Sequence, residues 1–222
     1  MERQGFGGLL PDDQWNRLIS AGSRRVFGNG KEIMRQGETA DTVHLLERGT
    51  VRITVIRADG DHSLIGVRGP GEPLGELSVL SGLPRTATVA ASGGTCVTYV
   101  VKGERFRQMV RGMELERALW QHIVRRQQEN EVLQAELVAL TPKRRLAEIL
   151  LRLSFADGAD TPTRVLTIPQ KELVGPVGRS RSWIQEEFRR LRSAGIISTK
   201  RLQVVIHDVD RLRRLAGGEK AE

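Results

Sequence analysis

Two neighbouring stretches carry residue types suited to an anion. Gly71-Glu72-Pro73-Leu74-Gly75-Glu76-Leu77-Ser78 is followed closely by Leu83-Pro84-Arg85-Thr86-Ala87-Thr88-Val89. Arginine offers a fork of N–H donors that matches a phosphate, and the next threonine adds a hydroxyl and a backbone N–H. A Gly-Glu turn beside an Arg-Thr turn can therefore grip a cyclic phosphodiester, with Glu76 accepting from a ribose 2′-hydroxyl. The same residues would also make a structural Glu76–Arg85 ion pair. A second set lies near the C-terminus. The exposed side of an amphipathic segment over Arg181–Ser193 presents Arg181, Ser182, Gln185, Glu186 and Arg189, which can read base edges or hold phosphates. Arg181 would alternatively pair with Glu186 or Glu187.

Other chemistries find little support. The four histidines, His44, His62, His122 and His207, have no ligand spacing, and the single cysteine, Cys96, excludes an intrachain disulfide or a cysteine-rich metal site. There is no G-x-S-x-G and no P-loop, and Gly69-x-Gly71-x-x-x-Gly75 has the wrong spacing for a dinucleotide loop. The expectation is a protein that is not an enzyme and holds no metal or cofactor.

The charge points the same way. The 222 residues carry a net +8 and a pI near 10.5, which suits an anionic partner, nucleic acid ahead of a membrane surface. Residues 141–222 hold 17 Lys+Arg against 10 Asp+Glu, whereas residues 1–140 hold 18 against 17. Nearly all the excess lies in the last third. The opening MERQGFGGLLPDDQW lacks a cationic stretch followed by an apolar core, so no signal peptide is expected. No apolar run is long enough to cross a bilayer, and a cytoplasmic location is expected.

The elements that must position these residues differ along the chain. A short helix over 11–21, with Leu18 and Ile19 inward, precedes a Gly-rich β region over about 20–105. Val51, Ile53 and Val55 alternate along one strand; Asp59-Gly60 makes a hairpin turn into 63–67, and 95–101 forms another strand. Such short, Gly-punctuated strands predict a β-roll or jelly roll. One long helix is predicted from about 104 to 140. Leu119, Ile123, Arg126, Asn130, Leu133, Leu137 and Leu140 are spaced alternately by four and three, an a/d seam that predicts a homodimer. Val124, Val132 and Val138, off that seam, suit packing against the β domain. Thr141-Pro142 ends the run and starts a new helix carrying Leu146, Ile149, Leu150 and Leu153. Further on, a strand at 166–168, a short helix over 170–176, a turn over 177–180 with Gly178, the Arg181–Ser193 helix capped by Ser180, and two strands around Lys200-Arg201 predict a winged helix-turn-helix. Gln170, Lys171, Arg179, Ser180, Lys200 and Arg201 join the helix residues as candidate DNA contacts. The fold class is α+β, with a sensor over 1–105, a dimerisation helix over 106–140 and a DNA-binding domain over 141–222.

With these parts in this order, the chain resembles the cyclic-nucleotide-binding regulators of the catabolite activator protein (CRP/FNR) family over nearly its whole length. The Gly75-Glu76-Leu77-Ser78 and Pro84–Val89 pair looks like the family's phosphate-binding cassette. The resemblance implies an effector-gated homodimeric transcription factor in which Gly75, Glu76, Leu77, Ser78, Arg85 and Thr86 hold the ribose-phosphate. Cyclic AMP is the first expectation, with cyclic GMP or another cyclic nucleotide as alternatives. Double-stranded DNA and RNA polymerase are the implied partners, the 157–161 loop being one candidate polymerase surface. The family's two small hydroxyl residues for the nucleobase fall on Asn130 and Glu131. Asn130 either reads the base or, as a buried a-position Asn, sets dimer register. In the recognition helix Arg181 matches the family's first arginine, but Ser182 replaces a glutamate and Glu186 a second arginine, implying a different half-site. Two rivals remain: the same dimer with another effector or none, and a cyclic-nucleotide-binding regulatory subunit of a partner enzyme.

Overall fold

The computed structural model describes residues 3–56, 60, 62–155, 164–200 and 203–218. Asp59, the 157–161 loop and Arg201 lie outside the described residues, as do the side chains of His62, Val132, Leu133, Leu137 and Val138. The chain divides into two compact units, residues 1–53 with 68–133 and residues 54–67 with 134–222.

The β-roll follows α1 (Gly5–Gly8) and α2 (Asp12–Ser20). Its strands are β1 (Ser23–Phe27), β2 (Glu32–Met34), β3 (Thr42–Ile56), β4 (His62–Arg68), β5 (Pro73–Leu74) and, after α3 (Glu76–Ser81), β6 (Thr88–Lys102). The strand order is β1-β6-β3-β4, with β2 paired to β6 and β5 to β3. The two 15-residue strands each serve two apolar clusters. β3 sends Val43 and Leu45 to one and Leu46 and Val51 to the other. The change of side occurs along strands interrupted by glycine in the left-handed region, Gly49 at φ 83° and Gly93 at φ 76°, where other residues are strained.

Leu18 of α2 is fully buried, as its spacing predicts. The single helix predicted over 104–140 is instead two, α4 (Gly103–Gly112) and α5 (Glu116–Ala139). Glu114 has φ 56°, the left-handed conformation that stops a helix, and Leu115 just after it is drawn into the core with Phe106, Val110 and Leu119. Gly112, a poor helix former, already weakens the run at the end of α4, and burial of Leu115 outweighs what propensity remains.

The second unit contains α6 (Pro142–Phe155), β7 (Arg164–Thr167), a 3-10 turn (Gln170–Leu173), α7 (Val174–Val177), α8 (Arg181–Ser193), β8 (Ile197–Lys200), β9 (Gln203–Ile206) and α9 (Val209–Gly217). Leu146, Ile149, Leu150 and Leu153 of α6 are all buried. Gly178 closes α7 at φ 68°, which frees the chain to turn, and the Ser180 hydroxyl accepts from the Trp183 N–H at 3.3 Å to start α8. Ile184, Phe188 and Leu191 form the inner edge of α8. The wing is the β7-β9-β8 sheet, with Lys200 opposite Gln203 at its tip. The last helix, α9, lay beyond the sequence expectation; Asp208 caps it by accepting from the Arg211 N–H at 2.8 Å.

Candidate effector cassette and nucleic-acid interface

The cassette residues meet around one guanidinium. Arg85 is 3% exposed; its Nη1 donates to the Gly75 carbonyl at 2.8 Å, and its Nη2 donates to the Thr42 carbonyl at 2.7 Å and hydroxyl at 3.0 Å. Its Nε–H is buried without an acceptor among the described residues. Gly75 stands at φ 83°, and a β-carbon there would overlap the Arg85 guanidinium, so this position requires glycine. Glu76 begins α3. Burial pushes its carboxyl up to about 7, against the pull of its own and the Leu77 backbone N–H and of Arg68 and Arg85. Leu77 is exposed, Ser78 is buried with its hydroxyl donating to the Pro84 carbonyl at 3.3 Å, and Thr86 is exposed on the loop beside Arg85. Gly75, Glu76, Ser78 and Arg85 are thus brought together, with Leu77 and Thr86 at the margin.

On the second unit, Gln170, Lys171, Arg181, Lys200 and Gln203 line a groove of about 320 Å³ between the 3-10 turn, the start of α8 and the wing. Arg179, Ser180, Arg181, Ser182, Gln185 and Arg189 are exposed, and Glu186 is half-buried. Glu186 pairs with Arg189 and lies 3.9 Å from Arg190, while Glu187 lies 3.5 Å from Arg190. The alternative pairing of Arg181 with either glutamate is not what the helix adopts. The geometry is a helix-turn-helix whose exposed face and wing are cationic.

A cyclic nucleotide-binding domain profile matches residues 24–112, and a Crp-like helix-turn-helix domain profile matches residues 144–215. Between them they account for most of the chain. The chain belongs to the CRP/FNR family. It is 28% identical to the CRP-like cAMP-activated global transcriptional regulator of Mycobacterium tuberculosis over 200 residues, 86% of each chain. It is 25% identical to the cyclic AMP receptor protein of Thermus thermophilus over 214 residues, 96% of each. Among solved structures, that of the c-di-GMP responsive global regulator CLP of Xanthomonas campestris shares the fold, at a TM-score of 0.72 and 20% identity over 89% of this chain and 99% of that one. Members of the CRP/FNR family are transcriptional regulators, not enzymes. Among the described residues no helix is long and apolar enough to cross a membrane.

In this CRP/FNR regulator the long helix meets its own roll along part of the predicted seam. Leu119 is 3% exposed in the core of its own unit, Ile123 packs against it, and Arg126 pairs with Glu72. Val124, assigned by its spacing to that packing, is instead 50% exposed, and Trp120 is 62% exposed. Asn130 and Glu131 are exposed; the Gln127 amide donates to Glu131 Oε1 at 2.8 Å. Leu140, at the end of α5, is half-buried, and its carbonyl accepts from Arg145 at 3.0 Å.

Sequence reasoning missed the groups that connect cassette to helix. The Glu72 carboxylate, 2% exposed, takes Arg126 on one oxygen and lies 3.6 Å from His122 Nε2 on the other. Arg68 acts on Glu76, His122, Arg126 and Glu129. Burial, then the charge of Arg68, lowers Arg126 to about 10 and His122 to about 4. A signal for Glu72 existed in the doubled Gly-Glu of Gly71-Glu72 and Gly75-Glu76. Nothing local marks Thr42, whose partner lies 43 residues away.

Proposed function

We propose that this CRP/FNR chain is a cytoplasmic homodimer whose affinity for a pseudopalindromic operator is set by a cyclic nucleotide, cyclic AMP first, held by Gly75, Glu76, Leu77, Ser78, Arg85 and Thr86. One observation carries the reading: Arg85 is a buried cation whose Nε–H lacks an acceptor among the described residues, against a glycine turn that admits nothing larger. A phosphate oxygen satisfies that donor, because leaving one buried and unpaired is costly. The names of the Mycobacterium and Thermus relatives support cyclic AMP as the effector. Asn130 and Glu131 are the proposed base contacts, with register as the other role for Asn130. The dimer is proposed to form along the long helix through its a/d seam, and the exposed Trp120 and Val124 support that reading. RNA polymerase is a proposed partner, and 1–105, 106–140 and 141–222 are the proposed sensor, dimerisation and DNA-binding segments. Two recognition helices related by a two-fold axis would enter major grooves ~34–36 Å apart.

A second reading keeps the DNA-binding dimer but gives it another effector or none. The internal Gly75 and Thr42 partners of Arg85 favour it, since the chain itself satisfies much of the guanidinium. Calorimetry with cyclic AMP and cyclic GMP, paired with operator binding at stated salt, separates the two. Saturable binding of either nucleotide that is lost in Arg85→Ala supports the first. No binding below millimolar concentration, with specific DNA binding intact, supports the second.

A further inference from the structure

On the exposed side of α8 the charged groups are cationic except for Glu186. Its side chain is 46% exposed, and its carboxylate pairs with Arg189, with Arg190 3.9 Å away. Exposed pairs three or four residues apart contribute little to a helix, so stability does not account for an acid on a face that meets a polyanion. Ser182, one turn earlier, is engaged: its hydroxyl and that of Ser180 are 2.9 Å apart within the cap. The side chains of Arg181 and Gln185 have no hydrogen bond or ion pair among the described residues and remain available as donors.

A carboxylate only accepts. Phosphates repel it, and in the major groove the guanine N7 and O6 and the thymine O4 repel it too. Cytosine N4–H₂ and adenine N6–H₂ are the donors on offer, and adenine sets its N7 lone pair beside the amine. We infer that Glu186 is a specificity-determining residue that accepts from the N4 amine of a cytosine in each half-site, and that Arg189 and Arg190 hold and screen its carboxylate on approach to the phosphates. The assignment rests on the DNA-binding reading above.

The test is selection of duplexes from a randomised library by the full chain, with and without cyclic AMP at fixed salt, comparing wild type with Glu186→Ala and Glu186→Gln. Wild type is expected to select cytosine at one position per half-site. Glu186→Ala should level that position, losing at least about five-fold in discrimination, while every other position is retained. Glu186→Gln should move the preference from cytosine to adenine, because an amide both donates to N7 and accepts from N6. Unchanged preferences in both variants overturn the assignment. So does a uniform gain in affinity for all duplexes in Glu186→Ala, the mark of a carboxylate that only repels phosphate. If wild type selects no sequence, the DNA-binding reading itself fails, and this assignment with it.

Discussion

Glu76 gains and loses its proton within the range in which a cell operates, because burial raises it to about 7 and the neighbouring backbone N–H groups and arginines offset only part of that. A ribose hydroxyl donates best to the ionised carboxylate, as charge-assisted hydrogen bonds are the stronger ones. Cyclic nucleotide affinity should therefore rise with pH through 7 and fall below it by up to about ten-fold per unit, the limit for one linked proton. Calorimetry between pH 6 and 8 measures this, and Glu76→Gln should flatten the profile. Gly75 makes a steric prediction beside the electrostatic one. Gly75→Ala must displace the Arg85 fork and strain a backbone at φ 83°; a loss of about 1–3 kcal/mol in stability is expected from the strain, read as a lower midpoint in urea, with nucleotide binding lost.

The helices show what was legible and what was not. The limits of α8 and its Ser180 cap follow from local chemistry, a capping hydroxyl and an apolar edge of period 3.6, and the structure places them there. The side of α5 that meets its own roll is a different kind of information. A heptad fixes which residues share a face but not what covers it, and Leu119 and Ile123 are covered within their own unit. Glu72 was illegible for a related reason: its partners His122 and Arg126 lie 50 and 54 residues away, and no local spacing encodes such a pairing. Two substitutions on adjacent residues separate the faces. Leu119→Ala should cost about 2–5 kcal/mol of subunit stability, the usual range for a truncated core leucine. Trp120→Ala should leave subunit stability within about 0.5 kcal/mol and weaken self-association in sedimentation experiments. Glu72→Ala should cost about 1.5–3 kcal/mol, the range for a hydrogen bond to a charged group, since Arg126 loses its buried partner but keeps Glu129 at 3.3 Å, and thermal unfolding reads it directly.

At the scale of the whole molecule, three groups among the described residues, His44, His122 and Glu76, tie stability to pH. Burial, then Arg85 and Arg25, lowers His44 to about 4; burial, then Arg68, lowers His122 to about 4. A group lowered on folding binds fewer protons native than unfolded, so each histidine withdraws stability as pH falls from 6.5 through 4. Glu76 is raised instead, binds more protons when native, and adds stability as pH falls from 7 through 4.5. Each shift corresponds to about 3 kcal/mol at 1.36 kcal/mol per unit. From these three groups alone, two losses against one gain contribute a net loss of about 3 kcal/mol between pH 7 and 4. Urea unfolding at the two pH values, at one protein concentration, should show that difference. Variants turn the sign argument into a test. His122→Asn leaves one loss against one gain and should make stability nearly level over the range, whereas Glu76→Gln removes the gain and should roughly double the loss, to about 6 kcal/mol. A Glu76→Gln variant that is less sensitive to acid than wild type would show that the cassette glutamate is ionised in the folded chain, and would remove the basis for the rise in nucleotide affinity through pH 7.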